Sequence, residues 1–110
     1  MTTKPGETGC CIVIATCGSE PEARDLAARI VAEKLAACVQ LCPVTSVYTW
    51  EGETQTEPET RLVMKTTTGL YKTLEEFITA NHSYEVPQIV QVPISDGLDT
   101  YLDWVGQTTR

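Results

Sequence analysis

The chain has a single histidine, His82, set in the stretch NHSYEVP two residues before Tyr84. An imidazole there has three uses: a ligand for copper or zinc, a catalytic base, or a side chain that satisfies the last carbonyls of a preceding helix. One histidine cannot complete a metal site, so a second ligand must come from Cys17, from a carboxylate or from another copy of the chain. Cys17 sits just ahead of a helix start, where a thiolate is favoured. Cys17 and His82 therefore pair either as metal ligands or as nucleophile and base. No third group that would orient the imidazole is evident. The order of expectation is a helix-end residue facing a cleft, then a metal ligand, then a base.

Tyr48 and Trp50 are two residues apart and share one strand face. They are core or interface aromatics, or they line a pocket with Lys65 and Tyr84. Glu51, Glu53, Glu57 and Glu59 read as a solvated hairpin tip that discourages stray edge pairing and could bind a divalent cation weakly. No glycine-rich phosphate loop is present.

The elements that must position these groups follow from local pattern. Cys10 to Thr16 (CCIVIAT) is a continuous apolar run, which predicts a strand buried on both faces. Ser19 and Glu22 form a capping box with Pro21 in the first turn, and Ala23, Leu26, Ala27, Ile30, Val31 and Leu35 recur at helical spacing. Cys38 to Trp50 and Thr60 to Thr67 predict a long hairpin. Pro43 demands a bulge, a bend or a sheet edge. Thirteen residues at about 3.3 Å each span roughly 40 Å, so the hairpin should project towards a neighbouring subunit. A second helix with Leu70, Tyr71, Leu74, Phe77 and Ile78 on one stripe ends near Asn81, Gln88 to Ile94 is the last strand, and Leu98 to Val105 form a covering helix. The order gives an α+β fold, the ferredoxin-like βαββαβ sandwich with a long β-hairpin and a C-terminal helix. Its helices cover one sheet face, and a homotrimer with sheets inward would cover the other.

At 110 residues the chain fits one domain, expected over 10–110 behind a loose polar tail, 1–9. Hydrophobic residues at 42% and charged residues at 21% are ordinary for a folded protein. A formal charge of −7 repels phosphate backbones and anionic headgroups, which excludes nucleic acid and membrane as partners. The five cysteines cannot all pair within the chain and show no C-x-x-C spacing. Cys38 and Cys42 would lie roughly 13 Å apart along a regular strand, too far for a disulfide. Reduced thiols and the lack of an apolar leader predict a cytoplasmic protein.

Asp25-Leu26-Ala27-Ala28, Glu33 to Cys38 (EKLAAC), Tyr48-Thr49-Trp50-Glu51-Gly52, Lys65-Thr66-Thr67, His82 to Pro87 and Tyr101-Leu102-Asp103-Trp104 together resemble the CutA family of divalent-cation-tolerance proteins. The resemblance runs from about Cys10 to the end. It implies a cytosolic trimer, similar in architecture to the PII signalling proteins, that binds copper or another divalent cation and is not an enzyme. Some family members bind copper through a cysteine at the end of the first strand and two adjacent histidines. Those positions are Ala15 and Asn81-His82 here, so only His82 is kept, with Cys17 as the substitute. The resemblance also implies an intersubunit cleft around Trp50, Lys65 and Tyr84. Its alternative function is that of a PII-like sensor or scaffold taking a small anionic ligand near Lys65.

Overall fold

The computed structural model describes residues 7–110. The run Cys10–Cys17 forms β1, followed by helix α1 (Glu20–Ala32) and the hairpin of β2 (Cys38–Trp50) and β3 (Glu53–Thr67). A short 3-10 turn, Thr68–Leu70, leads into α2 (Tyr71–Ala80), then β4 (Ile89–Pro93) and α3 (Asp99–Thr108). The four strands form one antiparallel sheet in the order β2-β3-β1-β4. This is the ferredoxin-like plan predicted from the element order.

Alternation along the strands divides the sheet into two faces. Cys11, Val13, Ala15 and Cys17 of β1 and Leu62 and Met64 of β3 point to the helices, where they pack with Ala23, Leu26 and Ile30 of α1 and Leu74 and Ile78 of α2. The opposite face carries Ile12 and Ile14 beside Val63 of β3 and Val90 and Val92 of β4. Among the described residues only one end of that face is covered, where Val105 and Leu102 of α3 pack on Cys10 and Ala37.

Local chemistry sets the element ends. Ser19 Oγ accepts the Glu22 N–H at 3.3 Å and caps α1. Glu22 does not complete the capping box, because its carboxylate takes the Ser83 N–H, 3.1 Å away, instead. Lys34 ends α1 in the left-handed region (φ 59°). The Lys34 N–H bonds Val31 O and the Leu35 N–H bonds Ile30 O, the pair that defines a Schellman stop. Within α1 the buried stripe runs through Ala23, Leu26, Ala27 and Ile30, so Val31, expected in the core, is 42% exposed, while Leu35 just past the stop is buried. Glu51 and Gly52, with φ 51° and 79°, close the hairpin, as a two-residue turn of the twist-matching type requires.

A further expectation changes, and one is met. β3 begins at Glu53 rather than near Thr60, because ladder pairing from Trp50↔Glu53 inward carries the polar stretch without an apolar signal. Pro43 meets the sheet-edge alternative expected for it and needs no bulge, since Cys42↔Arg61, Pro43↔Thr60 and Val44↔Glu59 stay in register. It is tolerated because β2 is an edge strand. The hairpin projects as expected: the chain measures 49 Å along its longest axis, and β1 stops at Cys17↔Thr60, which leaves Glu53–Glu59 paired to β2 alone. Residues 1–6 of the expected tail lie outside the described residues. At its inner end Thr8 Oγ1 donates to Ile94 O at 2.6 Å and Gly9 O accepts the Thr68 N–H.

Candidate functional site

The loop that follows α2 folds back against the end of β1, and five hydrogen bonds hold it there. Asn81 Nδ2 bonds Phe77 O at 2.8 Å, while Arg29 donates to Asn81 Oδ1 at 2.7 Å. Ser83 N–H donates to Glu22. His82 Nε2 lies 2.7 Å from Thr16 O, and the Tyr84 N–H points at His82 Nδ1 from 3.0 Å. A carbonyl oxygen can only accept and an amide N–H can only donate. His82 is therefore the neutral ring with its proton on Nε2, and both nitrogens are engaged.

That tautomer bears directly on metal and base chemistry. Cys17 Sγ is 3.8 Å from His82 Nε2, so the predicted pair is brought together, at the buried end of β1. The nitrogen nearest the sulfur carries a proton already given to Thr16, so it has no lone pair to deprotonate the thiol. Burial, then the negative charges of Glu22 and Glu59, push the Cys17 thiol up to about 11. The pair is not an activated nucleophile. As a metal site it is not preformed either: copper would have to displace the Thr16 or Tyr84 hydrogen bond and take the thiol proton. Among the described residues no group of three or more His, Cys, Asp or Glu side chains gathers closely enough to hold a metal ion.

Glu22 shows what the loop contacts are worth. Burial works against its ionisation, yet hydrogen bonds from the Ser83 side chain and backbone, with lesser help from the Gly18 N–H, hold its carboxyl below the usual range.

Beyond the end of β1, the projecting hairpin and the loop 83–88 enclose a groove of about 680 Å³. Thr16, Tyr48, Trp50, Glu59, Tyr84 and Glu85 are among the side chains that line it. Tyr84 is fixed at both ends, by its N–H on His82 and by its hydroxyl on Glu59 Oε2 at 2.9 Å. Its ring lies 4.8 Å from the His82 ring, centroid to centroid. Burial first, then the Glu59 hydrogen bond, raise the Tyr84 hydroxyl, so it stays a phenol and a donor. Gly18 makes room: a Cβ there would meet Tyr84 Oη at 3.0 Å.

Of the predicted cleft residues, Trp50 and Tyr84 line the groove and Lys65 does not. Within one chain Lys65 pairs with Cys38 and Ile12, twelve rungs from Trp50↔Glu53, and its ammonium bonds Gln40. Glu59 and Glu85 are lining residues that the sequence did not single out for this role. The signal for Glu59 was register: once the two-residue turn is fixed, Glu59 falls opposite Val44 on the face of Tyr48 and Trp50.

The family model described as CutA1 divalent ion tolerance protein matches residues 11–108. The divalent-cation tolerance protein CutA of Thermus thermophilus is 44% identical over 99 residues, 89% of this chain and 96% of that one. That of Escherichia coli is 38% identical over 100% of this chain and 99% of its own. A chloroplastic CutA protein of Arabidopsis thaliana is 43% identical over 90% of this chain, which spans 55% of the plant protein's length. Among solved structures, the Thermus thermophilus divalent cation tolerance protein superposes with a TM-score of 0.89 at 43% identity, covering 92% of this chain and 99% of that one. CutA1 of Oryza sativa gives 0.90 at 41% identity, covering 92% and 94%. With the family model matched over residues 11–108 and these relatives aligned along most of its length, the chain belongs to the CutA1 family of divalent ion tolerance proteins.

Proposed function

We propose that this chain serves divalent-cation tolerance as a cytoplasmic homotrimer that performs no catalysis of its own, with copper as the first ion to test. The observation that carries the reading is the family match over residues 11–108. The trimer is supported by the sheet face of Ile12, Ile14, Val63, Val90 and Val92, uncovered among the described residues, and by the projecting hairpin, whose outer β3 edge has no partner there over Glu53–Glu59. A row of unpaired backbone groups on such an edge invites a strand from another chain. The cytoplasmic assignment is supported by five free thiols.

Copper contact on this chain falls to His82 and Cys17. Because His82 must release a hydrogen bond and Cys17 must lose a proton, the contact is weak with one chain's ligands and strengthens as pH rises. A tight site needs a ligand from another copy. The test is calorimetric titration of the reduced protein with copper, with the mass read by light scattering. A mass of three 12.1 kDa chains, and binding that tightens with pH and is lost in His82→Ala, is the expected result. A monomer ends the trimer, and unchanged affinity in His82→Ala ends the copper assignment.

The groove favours a second reading, a PII-like sensor or scaffold whose cleft takes a small ligand. Its enclosed volume and its fixed Tyr84 support this. Its lining does not support the anion expected near Lys65, because Glu59 and Glu85 supply the only charges on it among the described residues.

A further inference from the structure

We propose that Asp96-Gly97 is a self-modification site, where the main chain rearranges through a succinimide to isoaspartate and thereby loosens α3. The site lies at the Cys10 end of β1, away from the Cys17 end that holds the copper and cleft residues.

Sequence and local structure single out this one aspartate. Asp96 alone is followed by glycine, while Asp25, Asp99 and Asp103 precede Leu26, Thr100 and Trp104. A glycine leaves its nitrogen unshielded and its backbone free to turn. The other three aspartates lie within α1 and α3, where the dihedrals are fixed, whereas Asp96 sits in the irregular stretch between β4 and α3. There Asp96 Oδ1 accepts the Gly97 N–H at 2.9 Å, and that N–H has no other partner among the described residues. The carboxyl carbon is one bond from that oxygen, so it is already held beside the nitrogen that attacks it.

The chemistry needs only water. In the protonated acid the Gly97 nitrogen bonds Asp96 Cγ, the hydroxyl leaves with the amide proton as water, and a five-membered succinimide closes. Water then adds to either ring carbonyl. Cleavage of the new Cγ–N bond restores aspartate, and cleavage of the former backbone C–N bond leaves the chain routed through Cβ and Cγ.

The isomer lengthens the main chain by one carbon in a span without slack. The Ile94 N–H is tied to Cys10 O before it, and Leu98 O accepts the Tyr101 and Leu102 N–H groups after it. A Cβ on Gly97 would meet both Leu102 methyl carbons at 3.4 Å, so this backbone packs on Leu102, which joins Val105 against Cys10 and Ala37. Added length at 96–97 therefore pushes α3 off that end of the sheet. The turn follows the last β4 rung, Cys11↔Pro93, beyond the rows of Ile12, Ile14, Val90 and Val92 that a trimer with sheets inward covers. Asp96 has no ion-pair partner among the described residues, and burying a lone carboxylate is costly, which keeps it in water in such an assembly.

The test holds the purified, assembled protein at physiological temperature and neutral pH. Each aspartate is then mapped by electron-transfer fragmentation, which separates isoaspartate from aspartate at equal mass. Isoaspartate should accumulate at Asp96 and not at Asp25, Asp99 or Asp103, with a transient species lighter by one water. Asp96→Glu should abolish it, and Gly97→Ala, whose methyl fits against Leu102 with at most a small shift, should slow it severalfold. Hydrogen exchange across α3 should quicken in the aged wild type and not in aged Asp96→Glu. No isoaspartate at Asp96 in the native protein, or its appearance only in urea, overturns the site. Equal accumulation at the helical aspartates overturns the role given to Gly97 and the turn. Isoaspartate at Asp96 with unchanged exchange in α3 overturns the link to the helix.

Discussion

His82 Nε2 lies 2.7 Å from the carbonyl oxygen of Thr16, and this contact turns the only imidazole of the chain into a latch. With Nδ1 occupied by the Tyr84 N–H, the ring ties the end of β1 to the loop that carries a groove residue. A side chain that fills this role is structural before it is anything else. Metal binding and base chemistry both compete with it for the same nitrogens.

The latch predicts a stability cost that a surface ligand would not show. His82→Ala leaves Thr16 O and Tyr84 N–H without their partner, which should destabilise the fold by about 1–3 kcal/mol. Urea unfolding of the two proteins measures this. An unchanged midpoint would mean that water replaces the ring without loss and that the latch contributes nothing.

Gly18 and Tyr84 should be energetically coupled. A methyl group at 18 would meet Tyr84 Oη at 3.0 Å, with the ring carbons at 3.4 and 3.6 Å, so the crowding falls chiefly on the hydroxyl. Gly18→Ala should cost about 1–3 kcal/mol by overpacking. Tyr84→Phe removes the crowded atom, so much of that cost should vanish in the double variant. A double-mutant cycle reads the coupling, and strictly additive effects would show that Tyr84 moves aside freely.

The Cys17 thiol gives a pH dependence of known sign. Its value is raised from the ordinary 9.0 to about 11, so above the unfolded value the native state keeps a proton that the unfolded state loses. The contribution is full below about pH 9 and is lost as pH rises towards about 11. Cys10 and Cys11 are raised as well, so the comparison must be with Cys17→Ala. Denaturant unfolding should show the stability difference between the two proteins shrinking across that window. A constant difference would mean that Cys17 ionises in the native state like a free thiol.

Much of this architecture is legible in the chain, for reasons that are local. The apolar run of β1, the Ser19 cap and the period of α2 each fix an element through contacts within a few residues. The start of β3 is not legible, because Glu53–Glu59 is polar on both faces and is held as strand by the ladder to β2. The groove is less legible still. His82 finds its acceptor 66 residues away, on a backbone carbonyl whose availability no residue type announces. Lys65 was placed in the cleft by motif, and only the register, which sets it opposite Cys38, moves it away within one chain.

Val90 separates the lone chain from the proposed trimer. It is 44% exposed, pairs with Ile14 on the uncovered face, and touches no part of the core between sheet and helices. In a monomer Val90→Glu would place a carboxylate in water, a surface change worth about 0.5 kcal/mol or less. In a trimer with sheets inward the same carboxylate is buried without a partner, at a cost of several kcal/mol per ion, repeated in each subunit. The variant should therefore keep its circular dichroism while its mass by light scattering falls to that of one 12.1 kDa chain. Retention of the wild-type mass would show that this face is not where the copies meet, and would leave the projecting hairpin to carry the assembly alone.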